Sequence, residues 1–300
     1  MWYIFLMKYC TSKQMSELWD VSERSVRLYC AEGRIPGAYM EGKTWMIPGD
    51  AKKPARQKRH AKRKWNLLEA LKAEKRAGLK GGIYHMLQVE MTYNSNHMEG
   101  SKLTQDETRY IYETRTIGDG RYRVDDILET VNHFRCIDLV IDFAKRKLSE
   151  SLIKSLHRIL KQGTEDSRKN WFMVGDYKLV ENLAGDRETT HPSQVKKAMK
   201  KLLDSYQRKE SHSFEEIVEF HVSFERIHPF QDGNGRVGRL IAFKECLKNG
   251  IVPFIILDEK KDFYYQGLKK WDEAKEFLLK TCRDGQDTVK RYLDYFELCY

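Results

Sequence analysis

His228–Arg239 reads HPFQDGNGRVGR, and these twelve residues decide how the rest of the 300-residue chain is read. They hold an imidazole, a carboxylate, a glycine-rich turn and two arginines in one short stretch. Pro229 biases His228 away from helical angles, and the preceding run SFEEIVEFHVSFERI ends its amphipathic pattern at Ile227, so the first four residues read as a loop. A helix starts inside the motif, with an apolar face of Val237, Leu240, Ile241 and Leu247 and a stop expected at Gly250. Gly233, Asn234 and Gly235 therefore sit at a helix N-terminus. Unpaired N–H groups and a partial positive charge there favour an anion, and glycine lets a ligand approach the backbone. Arg236 and Arg239, three apart, project from one helical face and can add forked donors to the same polyphosphate. Asp232 can hold a Mg²⁺ bridging phosphate oxygens, because magnesium favours one or two carboxylates completed by substrate phosphates. His228 is suited to take a proton from an attacking hydroxyl. Gly-Asn-Gly alone is a turn and two arginines alone are a solvated face; the combination at this spacing carries the inference.

HPFxDGNGRxxR, as it stands in residues 228–239, resembles the signature of the Fic domain. Nine positions of that pattern are specified, so at roughly one in twenty each a chance match in this chain is on the order of one in a billion. The resemblance covers about residues 85–285 and extends through ETVNHF (129–134), LIKSLHRIL (152–160) and HVSFERI (221–227). It implies a protein adenylyltransferase, an AMPylator, that uses ATP with Mg²⁺ or Mn²⁺ to modify a hydroxyl on a target protein or on itself. Carried over residue by residue, it implies His228 as general base, Asp232 as metal ligand, and Gly233, Asn234 and Gly235 as the phosphate cradle. Arg236 and Arg239 would face the β- and γ-phosphates. The hydroxyl would attack the α-phosphorus with pyrophosphate leaving, so positioning and charge neutralisation do most of the catalysis.

Ser95-Asn96-His97-Met98-Glu99-Gly100 matches the (Ser/Thr)xxxE(Gly/Asn) pattern of the inhibitory helix of many Fic proteins, here at about residues 92–101. The match assigns Ser95, Glu99 and Gly100 to inhibition, with Glu99 pairing to Arg239 and occupying donors that the ATP γ-phosphate needs. The same glutamate positions a hydrolytic water in some relatives, which adds AMP removal as a second activity. GDYKLVENLAGDRETTHP (175–192) resembles the Fic flap hairpin, with strand-like residues 177–180. Lys178, Leu179 and Val180 would offer an exposed edge to which a target segment adds as a strand. Tyr264 and Tyr265, in DFYYQGLKKW, stand near where family members enclose adenine.

Charge separates the N-terminal quarter from the rest. Residues 1–80 hold 18 Lys+Arg against 8 Asp+Glu, leaving 36 of each in residues 81–300, so the net charge of +10 is all N-terminal. KKPARQKRHAKRK (52–64) concentrates eight of those basic residues, which suggests an anionic partner. Ahead of it, Ser12 can cap a short helix to Trp19, and Ser22 another through Glu32 that Gly33 closes. GAYMEGKTWMIPGD then reads as two extended pieces around Glu41-Gly42. Residues 9–54 resemble the winged helix-turn-helix of excisionase-like and MerR-like DNA-binding domains, with Arg24 and Arg27 on the second helix and Lys43 on the wing facing DNA. The expected organisation is a winged helix-turn-helix over 1–54, a basic helical linker over 55–80 and a Fic domain over 81–300.

Hydrophobic residues make up 41% of the chain, ample for a core, and helical periodicity dominates after residue 60, as in 67–79, 127–143 and 277–298. The expected fold class is mainly α with a small β-hairpin flap. MWYIFLM at the start is too short for a membrane span and lacks a cleavage site. Six cysteines without a CxxC argue for a reducing cytoplasm and against a zinc site. His85, His133, His157 and His221 have apolar helical neighbours and read as structural. Two function classes stay open: an autoinhibited adenylyltransferase with a DNA-binding module, and a DNA-binding transcription regulator whose Fic domain senses nucleotide without transfer. A homodimer is compatible with either.

Overall fold

The chain divides into two units, residues 1–63 and 64–300, and helices supply most of the second. In this computed structural model the described residues are 8–31, 33–42, 44–54, 66–185 and 187–300. MWYIFLM, the expected helix end Glu32, Lys43, the side chain of Arg24 and residues 55–65, which take in most of the basic stretch, lie outside them.

The first unit contains β1 (Tyr9–Thr11), α1 (Ser12–Trp19), α2 (Glu23–Ala31), β2 (Tyr39–Glu41) and β3 (Thr44–Pro48). The strands form an antiparallel sheet in the order β1-β3-β2, with Cys10 opposite Ile47 and Met40 opposite Trp45. Cys10, Met15, Trp19, Val26, Cys30 and Ile47 close its core. The cap of α1 is Thr11, not Ser12. Thr11 and Gln14 satisfy each other's backbone N–H groups in a capping box, while the Ser12 hydroxyl donates to Glu23 Oε1 at 2.9 Å. Ser22 starts α2 as expected, its hydroxyl accepting from the Ser25 N–H. Arg27 is exposed and paired with Glu23 one turn back, 2.7 Å away.

The second unit begins with α3 (Leu67–Ala77), α4 (Ile83–Met98), α5 (Gln105–Thr114), α6 (Val124–Phe143) and α7 (Glu150–Lys161). A two-stranded ribbon, β4 (Leu183–Ala184) with β5 (Arg187–Glu188), precedes α8 (Pro192–Tyr206), α9 (Phe214–Ile227), α10 (Asn234–Asn249), α11 (Lys261–Lys269) and α12 (Lys275–Tyr295). The expectation of a linker to residue 80 fails at α3. Leu67, Leu68 and Leu71 are buried in the core of this unit, and Lys75 reaches Asp142 at 2.7 Å, so α3 is part of the domain.

α10 lies at the centre, against α4, α6, α7 and α9. Its sequence leads one to expect a single apolar face. Instead it is buried all round, Arg236, Arg239, Lys244 and Glu245 included, and the buried charges are paired, as Lys244 with Glu245 at 2.6 Å. Among the described residues no helix is long and apolar enough to cross a membrane. The six cysteines are free, and Cys10, Cys30, Cys136, Cys246 and Cys282 are buried.

Candidate functional site

The site is built where α9 stops and α10 starts. Ser213 and Glu216 form a capping box at the start of α9, and its amphipathic run carries it to Ile227. His228 ends it in the left-handed region, φ 51 and ψ 61, with its N–H on the Phe224 carbonyl at 3.0 Å. Pro229 leads one to expect an extended His228; the capping geometry prevails, at some backbone strain, and turns the chain sharply. The His228 Nδ1 lies 3.3 Å from the Glu225 carbonyl. A carbonyl only accepts, so Nδ1 carries the hydrogen and Nε2 is left as the acceptor. Burial holds the imidazole below its ordinary pKa, with the Lys178 charge acting in the same direction.

Asn234 braces the loop between the helices. Its amide accepts from the Phe230 N–H and donates to the Phe230 carbonyl, both at 2.8 Å, and it is 1% exposed. The Asn234 side chain is therefore spent on the loop, and only its backbone is left for an anion. Phe230 in turn stacks on His157, centroids 4.0 Å apart. Gly233 takes φ 80 as the cap of α10, and a Cβ there would lie 3.2 Å from Leu160. Gly250 ends the helix as expected.

Asp232 stands half-exposed in front of α10. Its Oδ2 meets Lys161 Nζ at 2.7 Å and Arg236 NH2 at 3.2 Å. Burial raises its pKa, but Arg236 and Lys161 outweigh that and hold the carboxyl well below its usual range. Lys161 also reaches Glu129 at 2.5 Å and Asp166 at 3.3 Å, and Arg236 pairs with the other Glu129 oxygen. Arg236 is thus held in a buried ion cluster that sequence reasoning missed; Lys161, Glu129 and Asp166 come from other elements and share no local spacing with the motif. Asn132 on α6 donates to the carbonyls of Leu160 and Gln162, which fixes the end of α7 that carries Lys161.

Arg239 is buried and faces α4. Its Nε donates to Ser95 Oγ at 2.9 Å, and its NH2 donates to the Ser95 carbonyl at 3.0 Å and to Glu99 Oε1 at 2.7 Å. Ser95, Glu99 and Arg239 are thus brought together. Gly100, at φ 97, lets the chain leave α4 directly after Glu99, with Ser101 N–H closing on the Asn96 carbonyl. Gly235 completes the fit, since a Cβ there would collide with the Glu99 carboxylate. Glu225, also missed, lies half-buried with its Oε1 beside Gly238; burial, aided by the Glu99 charge, outweighs Arg239 and pushes its pKa up to about 8.

A cleft of about 660 Å³ opens over these groups, lined by Glu99, His228, Gly235, Arg239, Tyr264 and Tyr265 among others. That volume suits a nucleotide-sized ligand. Tyr265 is partly exposed and donates to the Met98 carbonyl at 3.2 Å, whereas Tyr264 is fully buried, its hydroxyl 2.5 Å from His221 Nε2.

The flap differs from expectation. Residues 177–180 form no strand, because the Lys178 N–H bonds the Pro229 carbonyl at 2.9 Å rather than a hairpin partner. The paired strands are β4 and β5, two residues each. Leu179 and Val180 are exposed, but Lys178 is 2% exposed and offers nothing to a docking segment.

Residues 147–245 match the Fic/DOC family profile. The protein adenylyltransferase Fic of Drosophila grimshawi is 28% identical over 190 residues, covering 61% of this chain and 38% of that protein. That of Nematostella vectensis is 25% identical over 214 residues, covering 67% and 48%. The chain thus spans less than half the length of these curated relatives. Among solved structures, a Fic domain containing signaling protein from Bacteroides thetaiotaomicron VPI-5482 superposes with a TM-score of 0.60 at 24% identity, covering 76% of this chain and 94% of that one. Fic-1 from C. elegans gives 0.58 at 20% identity over 75% and 66%. The helical fold around α10 is the Fic fold. The residues that match the family profile, 147–245, include the His228–Arg239 loop.

Proposed function

We propose that this chain is a protein adenylyltransferase held in a restrained state, transferring AMP from ATP to a hydroxyl of a target protein or of itself. The observation that carries the reading is the convergence of His228, Gly235 and Arg239 on one nucleotide-sized cleft. The adenylyltransferase names of the relatives support it. Neutral His228 takes the proton of the incoming hydroxyl at Nε2. The hydroxyl oxygen bonds to the α-phosphorus, the bond to the β-phosphate bridging oxygen breaks, and pyrophosphate leaves. The N–H groups of Gly233, Asn234 and Gly235 and the guanidinium of Arg239 bind the phosphates, while Arg236 supplies positive charge from within its ion cluster.

Asp232 fits a hard divalent cation: it offers a half-exposed carboxylate beside the start of α10, with the Lys161 and Arg236 contacts both on Oδ2. Bound Mg²⁺ or Mn²⁺ would neutralise charge on the phosphate oxygens. The Glu99–Arg239 pair supplies the restraint, because a γ-phosphate and Glu99 need the same donor. AMP removal directed by Glu99 belongs to the same reading.

Residues 1–54 act in this reading as a winged helix-turn-helix that binds DNA, supported by two helices, a β2–β3 wing and the basic run at 52–64 that follows them in sequence. A nucleotide sensor without transfer would need no base, and the proton-accepting geometry of His228 favours transfer. Incubation with labelled ATP and Mg²⁺ tests it: label should reach protein in the Glu99→Gly variant and vanish in His228→Ala, which still binds nucleotide. DNA affinity that does not fall between low and physiological salt would exclude the DNA-binding role.

A further inference from the structure

We propose that Lys178 is a positioning residue of the transfer site: its buried ammonium ties the flap stalk to the His228–Gln231 loop and keeps a positive charge near the His228 imidazole. This rests on the adenylyltransferase reading above. Lys178 Nζ lies 2.6 Å from Asn182 Oδ1 and 2.5 Å from Thr189 Oγ1, and both partners are neutral. Thr189 donates in turn to the Asn182 carbonyl at 2.8 Å, so the three side chains clamp the two limbs of the flap together. The clamp hangs on the catalytic loop by three bonds. The Lys178 N–H reaches the Pro229 carbonyl at 2.9 Å, and the Asn182 amide donates to the carbonyls of Phe230 and Gln231 at 3.1 Å each.

An ammonium 2% exposed and held by neutral oxygens is costly to fold, and burial lowers its pKa to about 8, against the opposing pull of Glu181. A methionine would fill the same space without that cost. What the charge adds is its field on His228, whose other charged neighbours are Glu99 at the end of α4 and Asp232 in the loop, with the Glu225 carbonyl on Nδ1. Glu99 and Asp232 favour the imidazolium. Lys178 opposes them and adds to the burial that holds the base neutral.

The test uses full-length Glu99→Gly protein and self-transfer from labelled ATP across pH. Lys178→Met should lower kcat about tenfold or more with the KM for ATP changed less than about twofold. It should also move the acid limb of the profile up by about half a pH unit or more, because His228 loses the opposing charge. Lys178→Arg should return the limb to its parental position. Asn182→Leu, which cuts the bonds to the loop and one of the two that hold the ammonium, should lower kcat. A folded Lys178→Met protein with the parent's kcat, or with an unmoved limb, overturns the proposal. Thermal melting is read on every variant; if Lys178→Met does not fold, Asn182→Leu decides, and parental kcat there overturns it equally. No transfer by the Glu99→Gly parent would instead sink the adenylyltransferase reading, a result distinct from a Lys178 variant that matches an active parent.

Discussion

Replacing Glu99 with glycine should raise self-transfer of AMP by about one to two powers of ten, and the site allows the magnitude to be worked. Arg239 NH2 and Glu99 Oε1 are 2.7 Å apart, with side-chain exposures of 8% and 24%. At an effective dielectric near 20 the bare attraction is about 6 kcal/mol, most of which is offset by desolvation of the two groups. What survives is that of a charge-assisted hydrogen bond, about 1.5–3 kcal/mol, and each 1.4 kcal/mol or so is a factor of ten in the population competent for ATP. Two features bound the effect. Ser95 keeps two bonds to Arg239, so the guanidinium stays in position when Glu99 is removed. Glu225, whose ionisation Glu99 opposes, then ionises more readily beside Arg239, which favours the lower end of the range. The assay is the initial rate of label transfer from α-labelled ATP, with ATP affinity measured alongside. A variant that binds ATP yet transfers within about twofold of the parent rate would refute the reasoning, since so small a gain leaves under 0.5 kcal/mol or so for the pair.

Asn234→Ala leaves the buried N–H of Phe230 without a partner and takes one of two donors from its carbonyl, which keeps Asn182, so it should cost about 1–3 kcal/mol and lower Tm by several degrees; an unchanged Tm would show that the loop is braced otherwise. Gly235→Ala should destabilise the parent by driving its Cβ against the Glu99 carboxylate and cost less in the Glu99→Gly background, where Arg239 NH1 at 3.0 Å is the contact that remains, and additive effects on Tm would contradict the Glu99 contact. His133, His157 and His221 are neutral in the fold because burial, reinforced by neighbouring Arg or Lys charges, lowers each pKa to about 3, against about 6.5 when unfolded. Between those values the unfolded chain binds more protons, so stability is lost as pH falls below about 6.5, by up to about 1.4 kcal/mol per pH unit for each histidine. Melting at pH 7.5 and 5.5 checks this, with a flat Tm as the contrary result.

Much of the site was readable because its chemistry is local. The start of α10 at Asn234, its stop at Gly250 and the turn before it follow from glycine positions and helical periodicity within one stretch. The meeting of Glu99 with Arg239 was readable only through a resemblance, because 140 residues separate them. Lys161 and Glu129 escaped notice for the same physical reason: α6 and α7 bring them to Asp232 and Arg236 by packing, and no spacing announces it. At the flap, residues 177–180 read as a strand edge, whereas the Lys178 N–H is taken by the Pro229 carbonyl, far along the chain, and no local pattern shows it. Thr11 displaced Ser12 as a cap because Gln14 completes a capping box with Thr11 and because β1 pairs with β3 just before it. α3 showed a leucine pattern that marks a buried face, but the basic run ahead of it suggested a linker.

The central claim is that the His228–Arg239 loop transfers AMP, and the position of the label in ATP tests it most directly. Full-length Glu99→Gly protein, incubated with Mg²⁺ and ATP labelled on either the α- or the γ-phosphate, should retain the α-label covalently and release the γ-label as pyrophosphate. The further change His228→Ala should abolish the retained label. Retention of the γ-label, or of neither label by a protein that binds ATP, would contradict the account.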